Sequence, residues 1–262
     1  MRPDRRALGG LAAFAAGFAA IRTAHAQTAP ETDLQRIVRT KKARVGAVEA
    51  APWYIRDLKT DKWTGVVPEQ VELMFGAIGV EVEYVATQWG TAVAGLQSDK
   101  FDVMGAYVAN PQRALAVDFT TSTYDGLNGL VTLKPLPADA TWAALNVPET
   151  KIAAVTGAGS TVAIQRLIPR ASWTLVQSND AMMLELDSGR VEMIASNEPT
   201  LNSYVERRRR GTVVIPTPRV ITGANFAVRK TPDKELVTWM NVALEYFRQT
   251  GMLQTINDRY LR

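Results

Sequence analysis

The chain has 262 residues, of which 47% are hydrophobic and 21% charged. That balance belongs to folded chains and the length to one large domain or two modest ones, not to a disordered segment or a small disulfide module. There is no Cys, which excludes disulfides, a thiolate nucleophile, iron–sulfur clusters and Cys-ligated zinc. The formal charge is +4, and where the charges fall changes what that number means.

Residues 1–26 read as a secretory signal. Arg2, Arg5 and Arg6 give a positive start, and Leu8 to Ile21 is an uncharged apolar run. Ala24-His25-Ala26 then supplies the small-x-small pattern that a signal peptidase accepts. The run is shorter than the roughly 20 residues that span a bilayer, so cleavage is expected and an uncleaved anchor is the alternative. The Arg5-Arg6 pair leaves Sec and twin-arginine export both open. Cleavage after Ala26 removes four Arg and one Asp, leaving 26 basic and 25 acidic residues. The high pI therefore resides largely in the signal, and no basic nucleic-acid surface is expected. The only histidine, His25, leaves too. A mature chain without His or Cys excludes Ser-His-Asp triads, zincin motifs and Cys-His pairs.

Residues 27–33 are polar and contain Pro30, and read as a loose tail. Leu34 to Thr40 is a short helix and Arg44 to Val48 a strand. Asp61 to Gly65 is a hairpin or turn. Val71, Met74, Phe75 and Ile78 fall at helical spacing, and Gly79 stops that helix. Val80 to Ala86 alternates as a strand, Trp89 to Gln97 is a second helix, and Phe101 to Met104 is a strand. Helices set between strands predict parallel pairing with helices on the sheet faces.

The pattern then restarts. Lys151 to Val155 is a strand, and Gly157-Ala158-Gly159-Ser160 leads into a helix from about Thr161. Trp173 to Val176 is a strand, and Asn179-Asp180 offers a cap for the helix carrying Met183, Leu184 and Leu186. Val191 to Ile194 is a strand, Pro199 to Arg208 a helix and Val213 to Ile215 a strand. Thr231-Pro232-Asp233 predicts the start of a last long helix, with Pro at its first position and an acid in its first turn. Its buried face is Leu236, Met240, Ala243 and Phe247, and Gly251 ends it. Leu253, Ile256 and Tyr260 suggest a further short helix.

Four stretches carry a family resemblance. They are Lys62-Trp63-Thr64-Gly65 before an amphipathic helix, and Gly95 to Val103 (GLQSDKFDV). The third is Asn110-Pro111-Gln112-Arg113 with Val117-Asp118-Phe119-Thr120. The last is Ser188 to Glu192 (SGRVE) leading to Asn197-Glu198-Pro199. In this order and spacing the chain from Val45 to Arg262 resembles the bacterial extracellular solute-binding proteins of family 3, which serve polar amino-acid ABC transporters. The resemblance implies an α/β, two-lobed, periplasmic-binding-protein-like (type II) fold with two crossover hinge strands. Lobe 1 would span residues 34–124 plus 226–262 and lobe 2 residues 125–225, with hinge segments near 123–128 and 222–226. A hinge would close two half-sites on a small solute, and the closed form would dock on a membrane permease.

The candidate site follows from the residues and the resemblance together. Arg113, after an Asn-Pro turn, has the planar fork that matches a carboxylate. The resemblance makes it the clamp on the ligand's acid group; the alternative is a surface Arg paired locally, with Asp118 near in sequence. Gly157, Gly159 and Ser160 form a strand–helix turn whose N–H groups and helix dipole favour an anion, or a plain turn that uses Gly for backbone reasons. Trp89 and Trp53 correspond to walls of the cleft, against the alternative of core packing. Tyr107 and Tyr124 are further cleft and hinge candidates.

Ala106 and Val108, just before Arg113, count with the site, although family members usually carry a hydroxyl residue where Val108 stands. Asn197 stands where relatives that bind amino acids usually have an Asp against the ligand ammonium. The early acid and aromatic of the family correspond here to Ala47 and Ala50, with Glu49 and Glu198 close enough in sequence to substitute. The expected reading is that the acid end of the site survives and the ammonium end is altered. The run Arg207 to Arg210 ends a helix, where cations suit the dipole.

The expected function is therefore a periplasmic binding protein of an ABC importer, holding an amino acid or related small carboxylate. No cofactor and no metal are expected, and no enzyme activity. The expected partners are the solute and the permease subunits, with no nucleic acid, and the protein is expected to be a monomer. The alternatives are a cyclohexadienyl or arogenate dehydratase-like enzyme, which would need an acid or base such as Glu49, Glu198, Asp125 or a Lys, and a ligand sensor on the same fold.

Overall fold

A computed structural model describes residues 30–261. The expected signal peptide and residues 27–29 of the expected tail lie outside the described residues. Among the described residues, no helix is long and apolar enough to cross a membrane.

Helix α1 (Asp33–Thr40) leads to β1 (Lys42–Ala47), the short hairpin of β2 (Ile55–Arg56) and β3 (Trp63–Thr64), α2 (Val66–Gly76) and β4 (Glu81–Ala86). A single 3-10 turn over Trp89–Thr91 runs into α3 (Ala92–Gln97). Then come β5 (Val103–Tyr107), α4 (Pro111–Ala114), β6 (Val117–Phe119) and the long β7 (Tyr124–Thr132). The next group is α5 (Trp142–Leu145), β8 (Lys151–Val155), α6 (Gly159–Leu167), β9 (Ser172–Val176), α7 (Asn179–Asp187), β10 (Met193–Asn197) and α8 (Glu198–Arg208). β11 (Thr212–Val214), β12 (Val220–Arg229), α9 (Glu235–Gln249) and α10 (Met252–Tyr260) follow.

Local chemistry explains most of these boundaries. Thr32 and Gln35 form a capping box at α1, each side chain accepting from the other's backbone N–H. Asn110 caps α4, with Pro111 in its first turn, so the expected Asn-Pro turn is a short helix. Ser178, not Asn179, caps α7. The last long helix starts at Glu235, later than the Thr231-Pro232-Asp233 signal predicts. Lys234 takes a left-handed φ of 58° and reaches back to Asp118 at 2.6 Å. Asp233 still caps, accepting from Glu235 N–H at 2.9 Å.

The strand order is β4-β1-β5-β12-β7-β10-β8-β9, with β6 on β12 and β11 on β7. Pairing is parallel within β4-β1-β5 and within β10-β8-β9. The expected parallel pairing holds only inside those two groups, because the strands that join them run antiparallel. This is the two-lobed, type II architecture, with β7 and β12 as its crossover strands. The first half of β12 pairs with β7 over Val220–Ala224, and its second half with β5 and β6. The register shifts between Asn225 and Ala227, where β12 passes from one half of the sheet to the other.

Each three-stranded group is covered by helices. In β8, Ile152 and Ala154 face Trp142, Ile164 and Met193, while Ala153 and Val155 belong to the cluster that holds Met182, Met183 and Ile194. This period of two puts both faces of the second group in contact with apolar side chains. In the first group, Tyr54 is fully buried. Its hydroxyl lies 3.0 Å from Gly46 O and accepts from Gly105 N–H at 3.0 Å, tying β1 to β5 at their ends nearest the cleft. Tyr54→Phe is expected to lower unfolding stability by about 1–3 kcal/mol, because it strands a buried N–H. Urea titration would show this as a lower midpoint at unchanged slope.

Candidate functional site

The two groups of strands point their C-terminal ends at a shared cleft, the place where open α/β sheets collect ligands. Between them lies a space of about 440 Å³, part of it open to solvent. One side is formed by Trp53, Trp89, Ala106, Tyr107 and Val108, and the other by Ala158, Gly159, Ser160, Ser196 and Asn197. A smaller adjoining space reaches the crossover strands at Tyr124 and Thr222.

On the first side, Ala106 has a left-handed φ of 50°, uncommon for a residue with a Cβ. The kink lies inside β5, one residue before its end, and sets Tyr107 and Val108 on the cleft. Trp89 is nearly buried and stacks on Tyr107, with ring centroids 6.3 Å apart and planes 12° apart. Trp53 packs edge-on to Tyr124 at 6.0 Å. Both tryptophans therefore serve as packing and as lining at once.

Arg113 sits over the Tyr107 ring at 4.0 Å. Its Nη1 donates to Val108 O at 2.9 Å and its Nη2 to Gly157 O at 2.6 Å. The guanidinium is half-buried, and burial lowers its pKa while Tyr107 opposes the shift. Among the described residues no carboxylate lies within ion-pair distance of it. Other part-buried arginines of this half are paired: Arg36 and Arg44 with Asp102, and Arg229 with Asp33. Asp118, its neighbour in sequence, is taken by Lys234.

On the second side, α6 begins at Gly159 without a side-chain cap, so its first N–H groups face the cleft unclaimed. Gly157 and Gly159 mark where the two sides touch. A Cβ on Gly157, where φ is +75°, would stand 2.5 Å from Gly90 Cα. A Cβ on Gly159 would stand 2.2 Å from Val108 Cβ.

Asn197 ends β10 and caps α8, its Oδ1 accepting from Thr200 N–H at 3.1 Å and from Trp53 Nε1–H at 3.1 Å. The second bond crosses the cleft. Trp53→Phe is expected to cost about 1 kcal/mol of closing energy, the value of one such bond, read as a larger radius of gyration in X-ray scattering.

The structure thus brings Trp53, Trp89, Ala106, Val108, Gly159, Ser160 and Asn197 to one cavity, with Arg113 and Gly157 at its rim. It does not bring Glu49 there. That side chain is exposed and pairs with Arg56 at 3.2 Å in a neighbouring surface groove, which shares Ala50 and Asn179 with the cavity but carries Glu49 on its own side. Ser196, Thr200, Asn179 and Thr222 line the cavity without having been singled out from the sequence. The available signal was position, since Ser196 stands at a strand end before a helix and Asn179 and Thr200 in first helical turns. In the Arg207 to Arg210 run, Arg207 pairs with Asp180 while Arg208 and Arg210 share Asp187, so two carboxylates offset half of its charge.

Two α/β lobes joined by two crossover strands, with a lined cleft between them, define a solute-binding protein of the type II class. The family pattern described as bacterial extracellular solute-binding proteins, family 3, matches residues 44–262, and the chain belongs to that family. It is 27% identical over 227 residues to a probable amino-acid ABC transporter-binding protein of Haemophilus influenzae, covering 85% of each chain. It is 24% identical over 212 residues to the L-cystine-binding protein TcyA of Bacillus subtilis, covering 80% of this chain and 76% of that one. A crystal structure of the ancestral amino acid-binding protein AncCDT-1, a precursor of cyclohexadienyl dehydratase, superposes with a TM-score of 0.80 at 25% identity. That match covers 88% of this chain and all of the other.

Proposed function

We propose that the protein captures an amino acid or related small carboxylate in the cleft and delivers it to the membrane subunits of an ABC importer, without chemical conversion. The observation that carries this reading is the half-buried guanidinium of Arg113, which lacks an acidic partner among the described residues and donates to Val108 O and Gly157 O beside the cavity. An unpaired, desolvated cation calls for an anion, and its fork suits a carboxylate. The uncapped start of α6 adds N–H donors beside it. Trp89 and Trp53 would cover the remainder of the solute.

Lobe 1 then comprises residues 34–124 and 226–262, lobe 2 residues 125–225, and the molecule acts as a monomer in the periplasm after loss of residues 1–26. The reading without catalysis rests on the lining, which among the described residues contains no carboxylate, Lys or His. Of the usual general acid–base groups the lining offers only the phenols of Tyr107 and Tyr124, whose pKa values burial raises.

Calorimetry with amino acids and organic acids, paired with X-ray scattering, tests the proposal. Binding of an acid that also shrinks the radius of gyration is expected. Turnover of prephenate or arogenate would instead make the protein an enzyme of the dehydratase kind.

A further inference from the structure

Resting on that reading of the cleft, we propose that the solute has no free ammonium beside its acid group: it is a 2-hydroxy, 2-oxo or N-acylated acid rather than a zwitterionic amino acid. Asn197 carries the argument. Its amide oxygen faces two N–H donors, Trp53 Nε1 and Thr200 N, each at 3.1 Å. Only the oxygen can sit there, so the orientation of the amide is set by chemistry. Both lone pairs of that oxygen are used. What Asn197 has left is its NH₂, a pure donor, which makes no hydrogen bond with another described residue and belongs to the cavity lining.

The groups around it fit the same conclusion. Ser160, Ser196, Thr200 and Asn179 are 3%, 7%, 2% and 9% exposed. Their side-chain polar groups make no hydrogen bond with another described residue. No fully enclosed side-chain N or O among the described residues lacks a partner, so these groups reach accessible space; all four line the cavity, and Asn179 also lines the outer groove. With Ser160 in the first turn of α6, they give the second side of the cavity a polar, uncharged lining.

Among the described residues no carboxylate lines the cavity, although the outer groove that holds Glu49 and Asp180 shares Ala50 and Asn179 with it. Glu49 pairs with Arg56, Asp180 lies in the outer groove with Arg207, and Asp125 and Glu198 are not part of the lining. An ammonium placed here would be desolvated without a counter-charge, with only neutral hydroxyl and amide oxygens to accept from it, and would face the NH₂ of Asn197, a costly arrangement. An acyl carbonyl, a hydroxyl or an oxo group would instead take the free donors.

The test uses the full mature protein and a panel of L-amino acids with aliphatic, aromatic and polar side chains, each with its N-acetyl and its 2-hydroxy form, titrated by calorimetry. For the side chain that fits, the N-acetyl or 2-hydroxy form is expected to bind at least about tenfold more tightly than the parent amino acid. In Asn197→Asp the order is expected to reverse, because the new oxygen supplies the missing charge. A parent amino acid that binds the unaltered protein as tightly as its N-acetyl and 2-hydroxy forms, or more tightly, overturns this proposal and leaves acid capture standing. Failure of every acid in the panel to bind, or binding indifferent to Arg113→Ala, overturns the reading of the cleft and this inference with it.

Discussion

Arg113→Ala is expected to weaken binding of a carboxylate solute by about 2–5 kcal/mol, the usual loss when one partner of a buried, hydrogen-bonded charge pair is removed. In affinity that is roughly thirtyfold to a few thousandfold. Two effects combine. The acid group loses its fork, and the lobes lose the bond from Nη2 to Gly157 O that spans the cleft at 2.6 Å. Arg113→Lys separates them, because Lys keeps the charge but not the planar, two-pronged donor. It should recover only a small part of the affinity. Calorimetry of both variants with the same acid checks this, and an Arg113→Ala protein that binds as tightly as the parent would remove Arg113 from the site.

Gly159→Ala is expected to hold the lobes apart. The added methyl would lie 2.2 Å from Val108 Cβ, far inside contact distance, and a β-branched neighbour has little rotamer freedom to yield. Relief by opening the cleft should cost about 1–3 kcal/mol of binding, as overpacking does elsewhere. Ala is a good residue at this helical position, so lobe 2 should melt as before while scattering reports a more open shape. Val108→Gly in the same chain should restore closure, a coupling that only residues in contact show. An additive pair of effects would place the contact outside the closing motion.

Helices and inner strands were legible in the sequence wherever one face is apolar. The spacing of Val71, Met74 and Phe75 finds α2, and these side chains are buried. The apolar runs of β1, β5, β8 and β10 were visible for the same reason. The crossover strands were harder to read. Asn128, Thr222, Gly223 and Asn225 interrupt β7 and β12 with polar residues and Gly, because a strand that serves two lobes is not an uninterrupted core segment. Their place came from resemblance, not periodicity.

The start of α9 was misread because Lys234 gains an ion pair with Asp118, a partner 116 positions away. In the site, Arg113, the tryptophans and the glycine turn stand out as residue types. Ser196, Thr200 and Asn179 do not, since each looks locally like an ordinary strand end or first turn. The fit of Gly159 against Val108 exists only once the lobes meet.

The position of β12 has a consequence for how the molecule is made. This strand lies between β5 and β7 in the sheet, yet it consists of residues 220–229. A nascent chain therefore cannot finish its first lobe until nearly the whole polymer has emerged from the ribosome, and such distant pairings form slowly. Until that late strand is available the polypeptide stays loose, and it can take its final shape only once residues 220–229 are in hand.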